Sequence, residues 1–460
     1  MNKAALRLLL VFSLMAALIG ASSGAAMAQS GAFPSYTSGV QVANLEATEA
    51  TITLSAYNQD GTKNGNDLNN EKIPAGGSKT YFPISNVSAG FNGSLVFSSD
   101  KKIAAISNIL AIRDGVTGVA AASYVGRDTG ATTIRLPLLN KGNSGFNTWF
   151  SVQNAGTADA TISIDYSDNG IGADRTETIK PGAAKVFYQS AETHTATNFA
   201  GTVTSTNNQP LVAAVIQENN AIMFAYTGFT GAGSTNPVFP LVNANNSNYV
   251  TGIQIQNAGA QETSVTVSYT PSSAGTACTE TQTIAPGASK TFALISFTNS
   301  SLGSAENCAD APTRFVGSAK VTGNSANQPL VGIANQLLPG RNGEAYGSFS
   351  AEEATAKVVM PLIMARNGGY FTGFSLQNVG DAATTVSCTF TNTSETIAAT
   401  TLQPGQALVD LQANRFGTAR YVGSGTCTAS AGGKIVAVVN QLGASGTADQ
   451  LLVYEGIATQ

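Results

Sequence analysis

The residues with the clearest potential for chemistry lie in one loop, Asp60–Glu71. The loop places Asp60 at the first position of an EF-hand-like calcium site, Asn64 at the fifth and Glu71 at the twelfth, with a glycine at the sixth and Asn66 directly after it. Calcium requires hard oxygen ligands at such positions, and the glycine permits a sharp bend. The third and ninth positions match poorly, and strands are predicted on both sides. The alternative is a long, solvated hairpin loop rich in Asn and Gly. Calcium is the only cofactor that the sequence suggests.

The single tryptophan, Trp149, is a candidate for ligand binding. It falls on the polar face of a predicted strand, where comparable strands carry Gly39, Gly252 and Gly373. An exposed indole on a flat sheet offers a surface on which a sugar ring can stack. The alternative is that the side chain packs against a neighbouring domain or linker.

Residues suited to enzymatic turnover are sparse. His194 is the only histidine, and its loop, Ser190–Thr195, contains no nucleophile arranged with it as a Ser-His-Asp or Cys-His mechanism requires. Paired acids that would face a common cleft, as glycoside hydrolysis needs, are not conspicuous in any segment. The sequence therefore predicts a protein that is not an enzyme.

The four cysteines predict two disulfides, Cys278–Cys308 and Cys388–Cys427. Cys388 stands at an inward position of a predicted strand, where comparable strands carry apolar residues. An even number of cysteines in an exported chain favours disulfides over the alternative of buried free thiols. A zinc site needs four neighbouring ligands, and pairs of cysteines without histidine do not supply them.

Residues 1–28 have the pattern of a secretory signal peptide. Lys3 and Arg7 give a positive start, Leu8–Ile19 is an apolar run, and Ala26–Ala28 is a small-x-small cleavage signal. The apolar run is shorter than the ~20 residues that a membrane-spanning helix needs. We expect cleavage after residue 28, export to the cell surface or the medium, and no membrane span in the mature chain.

The composition narrows the classes of protein further. Of the 460 residues, 43% are apolar and only 11% are charged, with Lys and Arg totalling 23 against 27 for Asp and Glu. This charged fraction is less than half of the usual ~25%, and no basic block is present, so a nucleic-acid-binding surface is excluded. The 48 glycines and the many small and hydroxyl-bearing residues favour short strands and tight turns.

Five landmarks recur four times in the same order, which indicates internal repeats. They are an apolar-Pro pair that opens a strand, an Asn that ends a strand, a turn Gly, an aromatic-x-Gly motif and a closing Tyr. Their members are Phe33-Pro34, Leu136-Pro137, Phe239-Pro240 and Met360-Pro361; Asn44, Asn154, Asn257 and Asn378; Gly76, Gly182, Gly287 and Gly405; Phe91-Gly93, Phe199-Gly201, Phe315-Gly317 and Tyr421-Gly423; and Tyr124, Tyr226, Tyr346 and Tyr454. We therefore predict four domains, called repeats 1 to 4, at residues 29–130, 131–235, 236–356 and 357–460.

The hydrophobic pattern inside each repeat predicts strands. Apolar residues stand two and four positions before each landmark Asn, as Val42 and Val40 do in repeat 1, and polar or small residues lie between them. This period of two, with one buried and one wet face, is typical of antiparallel sheets. Seven or eight strands in ~105 residues match an immunoglobulin-like sandwich. The predicted fold is all-β, with four tandem immunoglobulin-like antiparallel β-sandwich domains.

A family resemblance follows from the turn motifs. An alternating strand that ends in Asn-x-Gly is followed by an apolar-x-Pro-Gly turn at Ile179–Gly182, Ile284–Gly287 and Leu402–Gly405. This pattern resembles bacterial immunoglobulin-like domains of the cell-adhesion-related (CARDB) type, over about half of each repeat. The resemblance implies a β-sandwich fold and an extracellular setting.

Together these features predict a secreted structural or adhesive protein. It would serve as a surface-layer component, filament subunit or spacer, with copies of itself or other cell-surface components as partners. The alternative is an array of carbohydrate- or ligand-binding modules that uses Trp149 and loop residues, with polysaccharide as the partner.

Repeat 1 differs from the others at its start in a way that suggests assembly. Pro34 precedes Asn44 by 10 residues, whereas the corresponding separation in the other repeats is 17. A truncated opening strand leaves a groove that a strand of another chain can fill. The sequence offers Gln450–Ile457 or Ser30–Thr37 as the donor in a head-to-tail arrangement.

Overall fold

The computed structural model describes residues 8–14, 31–166, 175–193, 195–293, 295–296, 304–306, 314–352, 354–443 and 449–459. Over these residues the chain is almost entirely β, with one 3-10 helix at Gln189–Ala191 and one α-helix at Gln412–Arg415. The all-β prediction is confirmed. The described part of the chain contains no helix with the length and apolar character needed to cross a membrane. The chain divides into two compact units, residues 1–231 and 232–460.

Short strands follow one another along both units. In the first unit they are β1 Leu8–Leu14, β2 Ser35–Asn44, β3 Ala50–Asn58, β4 Leu68–Ile73, β5 Ser78–Tyr81, β6 Gly93–Ser99, β7 Ile103–Arg113, β8 Val116–Val125, β9 Thr133–Asn143, β10 Phe146–Asn154, β11 Ala160–Asp165, β12 Arg175–Ile179, β13 Ala184–Tyr188, β14 Asn198–Ser205, β15 Leu211–Glu218 and β16 Met223–Thr227. In the second unit they are β17 Pro237–Ala244, β18 Val250–Asn257, β19 Thr263–Ala274, β20 Cys278–Ile284, β21 Ser289–Phe292, β22 Ser304–Glu306, β23 Phe315–Gly323, β24 Leu330–Leu338, β25 Asn342–Gly347, β26 Phe349–Ser350, β27 Lys357–Ala365, β28 Tyr370–Asn378, β29 Thr384–Phe390, β30 Thr396–Leu402, β31 Ala407–Leu411, β32 Tyr421–Ala429, β33 Ile435–Gly443, β34 Leu451–Glu455 and β35 Ile457–Thr459.

The strands form antiparallel sheets. In the first unit the orders are β1-β6-β3-β4, β5-β2-β7-β8, and an eight-stranded sheet β12-β11-β14-β9-β10-β15-β16 in which β13 also pairs with β10. In the second unit they are β22-β20-β19-β23-β17-β26, β21-β18-β24-β25, β30-β29-β32-β27-β35 and β31-β28-β33-β34. The orders β5-β2-β7-β8, β13-β10-β15-β16, β21-β18-β24-β25 and β31-β28-β33-β34 match one another along the sequence. The division into four domains at the predicted boundaries stays a prediction.

In repeats 2, 3 and 4 the opening strand pairs with the strand that contains the aromatic-x-Gly motif. Thus β9 pairs with β14, β17 with β23 and β27 with β32. On β6 of repeat 1 this place is held by β1, which comes from the apolar run of the predicted signal peptide. Phe33-Pro34 directly precedes β2, as expected of a pair that opens a strand, but β2 joins the other sheet.

The landmark asparagines fasten the end of one strand to the following hairpin. The side-chain amide of Asn154 donates to the carbonyls of Ala158 and Ile179, at 2.7 and 2.8 Å, while its oxygen accepts from the Gly156 amide. Asn44, Asn257 and Asn378 make the same set of bonds in their own segments. An asparagine suits this place because its short side chain both donates and accepts next to its own backbone.

The turn glycines adopt a conformation that other residues avoid. Gly76, Gly182, Gly287 and Gly405 have φ between +62° and +77°. A residue with a Cβ is strained in this left-handed region, which explains why Pro-Gly recurs before these strands. The carbonyls of two of these glycines also accept from neighbouring repeats: Ser94 Oγ donates to Gly182, and Ser318 Oγ donates to Gly405 at 2.8 Å.

The hydrophobic cores extend across neighbouring repeats inside each unit. The core built on β2, β3, β6 and β7 of repeat 1 also contains Trp149, Ile216 and Met223 from repeat 2. In the second unit, the core of repeat 3 contains Val438 and Leu451 from repeat 4. Paired repeats therefore share apolar packing rather than meeting only through a linker.

Candidate functional site

The carboxylate of Glu218, at the end of β15, is a buried polar group with several hydrogen-bond partners in the first unit. Its Oε1 atom accepts from the backbone amide of Ala32 at 2.7 Å and from Trp149 Nε1 at 2.8 Å, and its Oε2 accepts from the Tyr36 hydroxyl at 2.8 Å. Only 1% of Glu218 is exposed. This cluster, called here the Glu218 cluster, ties the first residues of repeat 1 to two strands of repeat 2.

Burial sets the protonation behaviour of the Glu218 cluster. Removal from water raises the pKa of Glu218, and the hydrogen bonds from Ala32, Tyr36 and Trp149 oppose that rise in part. Burial and the nearby Glu218 carboxyl likewise raise the pKa of Tyr36 far above its ordinary value. In the same pocket, burial raises the pKa of Tyr188 to about 12. The Glu218 carboxyl is thus suited to act as a buried hydrogen-bond acceptor that stabilises the contact between repeats 1 and 2.

Trp149 lies inside this cluster, so the expectation that its side chain is exposed for sugar stacking is wrong. Only 3% of it is exposed, and its ring packs against Tyr36 at a centroid distance of 6.0 Å and against Tyr188 at 6.3 Å. The alternative interpretation, packing against a neighbouring repeat, describes its position. Trp149 lies on β10, and the equivalent strands carry glycine at its position. The indole is enclosed because Tyr36 and Ala32 of repeat 1 lie next to this part of β10.

Glu218 was not predicted from the sequence, from which no conspicuous inward-facing acid was expected in any repeat. This expectation is wrong, because four acids are buried: Glu218, Glu280, Glu344 and Asp449. In the other repeats, the strands equivalent to β15 are β7, β24 and β33. The strand register shows that the position of Glu218 is occupied there by Leu110, Leu337 and Leu442. Two features of the sequence could have indicated the cluster: an acid at the end of a strand whose first six residues are apolar, and a tryptophan in place of glycine.

The buried acids of the second unit are held by contacts of their own. Glu280 accepts from the Tyr269 hydroxyl at 3.1 Å, and Asp449 of repeat 4 accepts from the Gly343 amide of repeat 3 at 3.0 Å. These hydrogen bonds satisfy the buried carboxyl groups, which therefore stabilise the fold, as Glu218 does in its cluster.

The candidate calcium ligands occupy the hairpin between β3 and β4. Asp60 Oδ1 accepts from the Thr62 amide and hydroxyl, which lowers the pKa of this exposed carboxyl. Asn64 exchanges hydrogen bonds with Ser88. Glu71 lies on β4 and pairs with Lys79 at 2.5 Å, while the Asn66 carbonyl accepts from Asn86. Within the described ranges, no three His, Cys, Asp or Glu side chains are grouped to hold a metal ion.

One predicted disulfide is confirmed. Cys388 on β29 and Cys427 on β32 are directly paired across the two strands and joined through their sulfurs. Cys278 begins β20 and is buried. Its predicted partner, Cys308, lies outside the described residues, so that pairing stays a prediction. His194 also lies outside them.

The second unit also has a polar cleft of about 450 Å³. Among its lining residues, Lys434 donates to the Ala351 carbonyl at 3.1 Å, and Glu352 accepts from Ser234 at 2.9 Å. Lys320 and Asp381 line the same cleft. No pattern in the sequence indicates this cleft, because its residues come from separate strands and turns.

Comparison with known proteins does not add a family. No protein-family model matches the chain, and no match was found among curated proteins.

Proposed function

We propose that the chain is an exported, non-enzymatic structural or adhesive protein, built from four β-sandwich repeats similar to CARDB-type domains. It acts as a component of a surface layer, filament or spacer, through contacts with copies of itself or with other cell-surface components. A buried disulfide is compatible with such an oxidising environment.

The Glu218 cluster is the observation that carries this proposal. The Glu218 carboxyl and the Trp149 indole are buried against each other, and the bonds from Ala32 and Tyr36 to Glu218 join repeat 1 to repeat 2. In the second unit, Ser318–Gly405 and Asp449–Gly343 join repeats 3 and 4. Buried hydrogen bonds between neighbouring repeats make each pair of repeats rigid. This supports a structural role for the protein rather than an enzymatic one.

The alternative, a carbohydrate-binding array, loses the contribution expected from Trp149. A sugar stacks on an open aromatic face, and this indole is enclosed by Tyr36, Tyr188 and Glu218. Polysaccharide binding therefore becomes an outcome to test rather than a second proposal.

The test uses the chain that begins at residue 29. We expect concentration-dependent assembly or retention on isolated cell envelopes, measured by sedimentation, and no binding to soluble polysaccharides. The variant Trp149→Phe keeps the apolar packing and serves as the control. Saturable polysaccharide binding that this variant abolishes, with the fold intact, would favour the alternative function.

A further inference from the structure

The edge of β6 differs from the corresponding edge in every other repeat. One side of β6 pairs with β3, and the other pairs over its whole length with β1, in a register that sets Leu10 opposite Phe97 and Phe12 opposite Leu95. Phe97 and Leu95 are fully buried in the core of repeat 1. The strand at this edge therefore completes the sheet directly beside two residues of the core.

Repeat 1 has no opening strand of its own for this edge after residue 28. The described chain of the mature protein resumes at residue 31, and β2, beginning at Ser35, already pairs with β5 and β7 in the other sheet. Repeats 2, 3 and 4 each fill the same edge with β9, β17 or β27. Removal of residues 1–28 would thus uncover a sheet edge that the fold is built to have paired.

We propose that, in the mature chain, the β6 edge is a strand-acceptor site that binds an extended apolar segment of a different polypeptide, antiparallel to β6. The inference rests on the proposed export and leader removal. Main-chain hydrogen bonds to β6 supply the binding, and apolar residues opposite Leu95 and Phe97 supply the selectivity.

The chemistry of the occupant follows from what lies on these edges. The seven residues Leu8–Leu14 read LLLVFSL and contain no charge, and the opening strands β17 and β27 are also rich in apolar residues. A charged residue opposite Leu95 or Phe97 would be buried without a partner, at a large cost in free energy. The acceptor therefore selects extended segments about seven residues long that are uncharged opposite Leu95 and Phe97.

A second copy is a poor source of this strand. The predicted donor Ser30–Thr37 enters β2, and Gln450–Ile457 contains β34, which pairs with β33. Among the described strands of the second unit, each is likewise held in a sheet. A folded copy could lend either segment only by breaking its own sheet, so a different polypeptide is the better source, and both donor predictions stay predictions.

Tyr124 is the residue that we expect to fix the incoming strand. In the other repeats the closing tyrosine donates its hydroxyl proton to the opening strand, from Tyr226 to the Leu138 carbonyl at 2.8 Å and from Tyr454 to the Leu362 carbonyl. Tyr124 holds the same place in repeat 1 and is 3% exposed. By this equivalence we expect its hydroxyl to donate to a carbonyl of the strand that completes β6.

The experiment uses the chain from residue 29 and a fluorescent peptide with the sequence of Leu8–Leu14 flanked by lysines. We expect saturable one-to-one binding by anisotropy, and slower amide hydrogen exchange in β6 when the peptide is bound. A peptide with N-methyl groups on Leu10 and Phe12 should not bind, because it lacks amides that face β6 in this register. Tyr124→Phe should weaken binding about three- to tenfold. The matched variant Tyr454→Phe, in the second unit, should leave it unchanged.

Register gives a second readout. A cysteine in place of Ser98 should form a disulfide with a peptide that has cysteine at position 9, which lies directly opposite, and not with one that has it at position 10. Equal cross-linking at both positions would overturn the proposal, and so would β6 amides that are already protected in the dilute mature chain without peptide. If the β6 amides became more protected from exchange as the concentration of the mature chain alone was raised, the bound strand would come from a second copy. This result would overturn the proposal that it comes from a different polypeptide.

Failure of the proposed function is separable from failure of this site. If mass spectrometry finds Leu8–Leu14 retained in the exported protein, the acceptor is filled from within and this inference is overturned, while the structural role stands. If the protein is found inside the cell but the mature chain binds the peptide in register, the proposed function fails and the acceptor site stands.

Discussion

Trp149 Nε1 lies 2.8 Å from Glu218 Oε1 and donates a hydrogen bond to it inside the first unit. Both residues differ from those at the equivalent positions of the other repeats, which have glycine in place of the tryptophan and leucine in place of the glutamate. The two exceptions compensate each other: the indole needs a buried acceptor, and the carboxyl needs buried donors. Repeat 1 completes the arrangement with Tyr36 and Ala32.

Replacing Glu218 should separate the energetic role of this cluster from general packing. Glu218→Leu installs the residue found in the other repeats and leaves three buried donors without their acceptor, so we expect a loss of about 3 kcal/mol in unfolding free energy. Because Trp149 is the only tryptophan, its fluorescence during denaturant unfolding reports on the first unit. Glu49→Leu, at an exposed position of the same unit, is the control. A loss no larger than that of the control would contradict the assignment.

A double-mutant cycle tests the pairing with Trp149. Trp149→Phe removes one of the orphaned donors, so the double variant should lose about 1–2 kcal/mol less than the sum of the single losses. Calorimetry provides the measurement, since the double variant lacks tryptophan. Strict additivity would mean that the 2.8 Å contact contributes nothing.

The raised pKa of Glu218 predicts a pH dependence with a definite sign. In the unfolded chain the carboxyl titrates near ~4.3, whereas burial keeps it protonated to higher pH in the folded protein. The folded state therefore binds more protons in that window, and the stability contributed by this group falls as pH rises from ~4.3 through the raised pKa. Relative to Glu218→Gln, wild-type stability should decline over this range and then level off. A difference that rises with pH would contradict the raised pKa.

Much of the fold was predictable because its signals are local. The period of two before Asn44 and Asn154 predicted β2 and β10, and the Pro-Gly turns required the positive φ seen at Gly182. The place of Glu218 was not predictable in this way. Its partners Ala32 and Tyr36 lie more than 180 residues away, and only the folded chain brings them to the end of β15.

The calcium hypothesis can be settled by thermal unfolding. Because the Asp60 carboxylate accepts from Thr62 and Glu71 is paired with Lys79, we expect millimolar calcium to leave the unfolding temperature of the first unit unchanged. The measurement follows Trp149 fluorescence with calcium and with chelator. An upward, concentration-dependent shift that Glu71→Gln abolishes would establish a calcium site and contradict this prediction.

The Cys388–Cys427 disulfide should stabilise the second unit alone. It joins residues 39 apart, and on the loop-entropy model its removal should cost about 4 kcal/mol. The double variant Cys388→Ala/Cys427→Val isolates this bond from any effect at Cys278. Calorimetry should show a lower unfolding temperature for residues 232–460, while Trp149 fluorescence shows no change for the first unit. A shift of the first unit by a similar amount would count against this assignment.

Electron microscopy of native cells labelled with antibody against the mature chain tests the proposed function most directly. We predict label outside the cell, in an ordered layer or along filaments, and loss of that order when the gene product is removed. A label confined to the cell interior, or a protein released into the medium as a dispersed monomer, would contradict the structural and adhesive role.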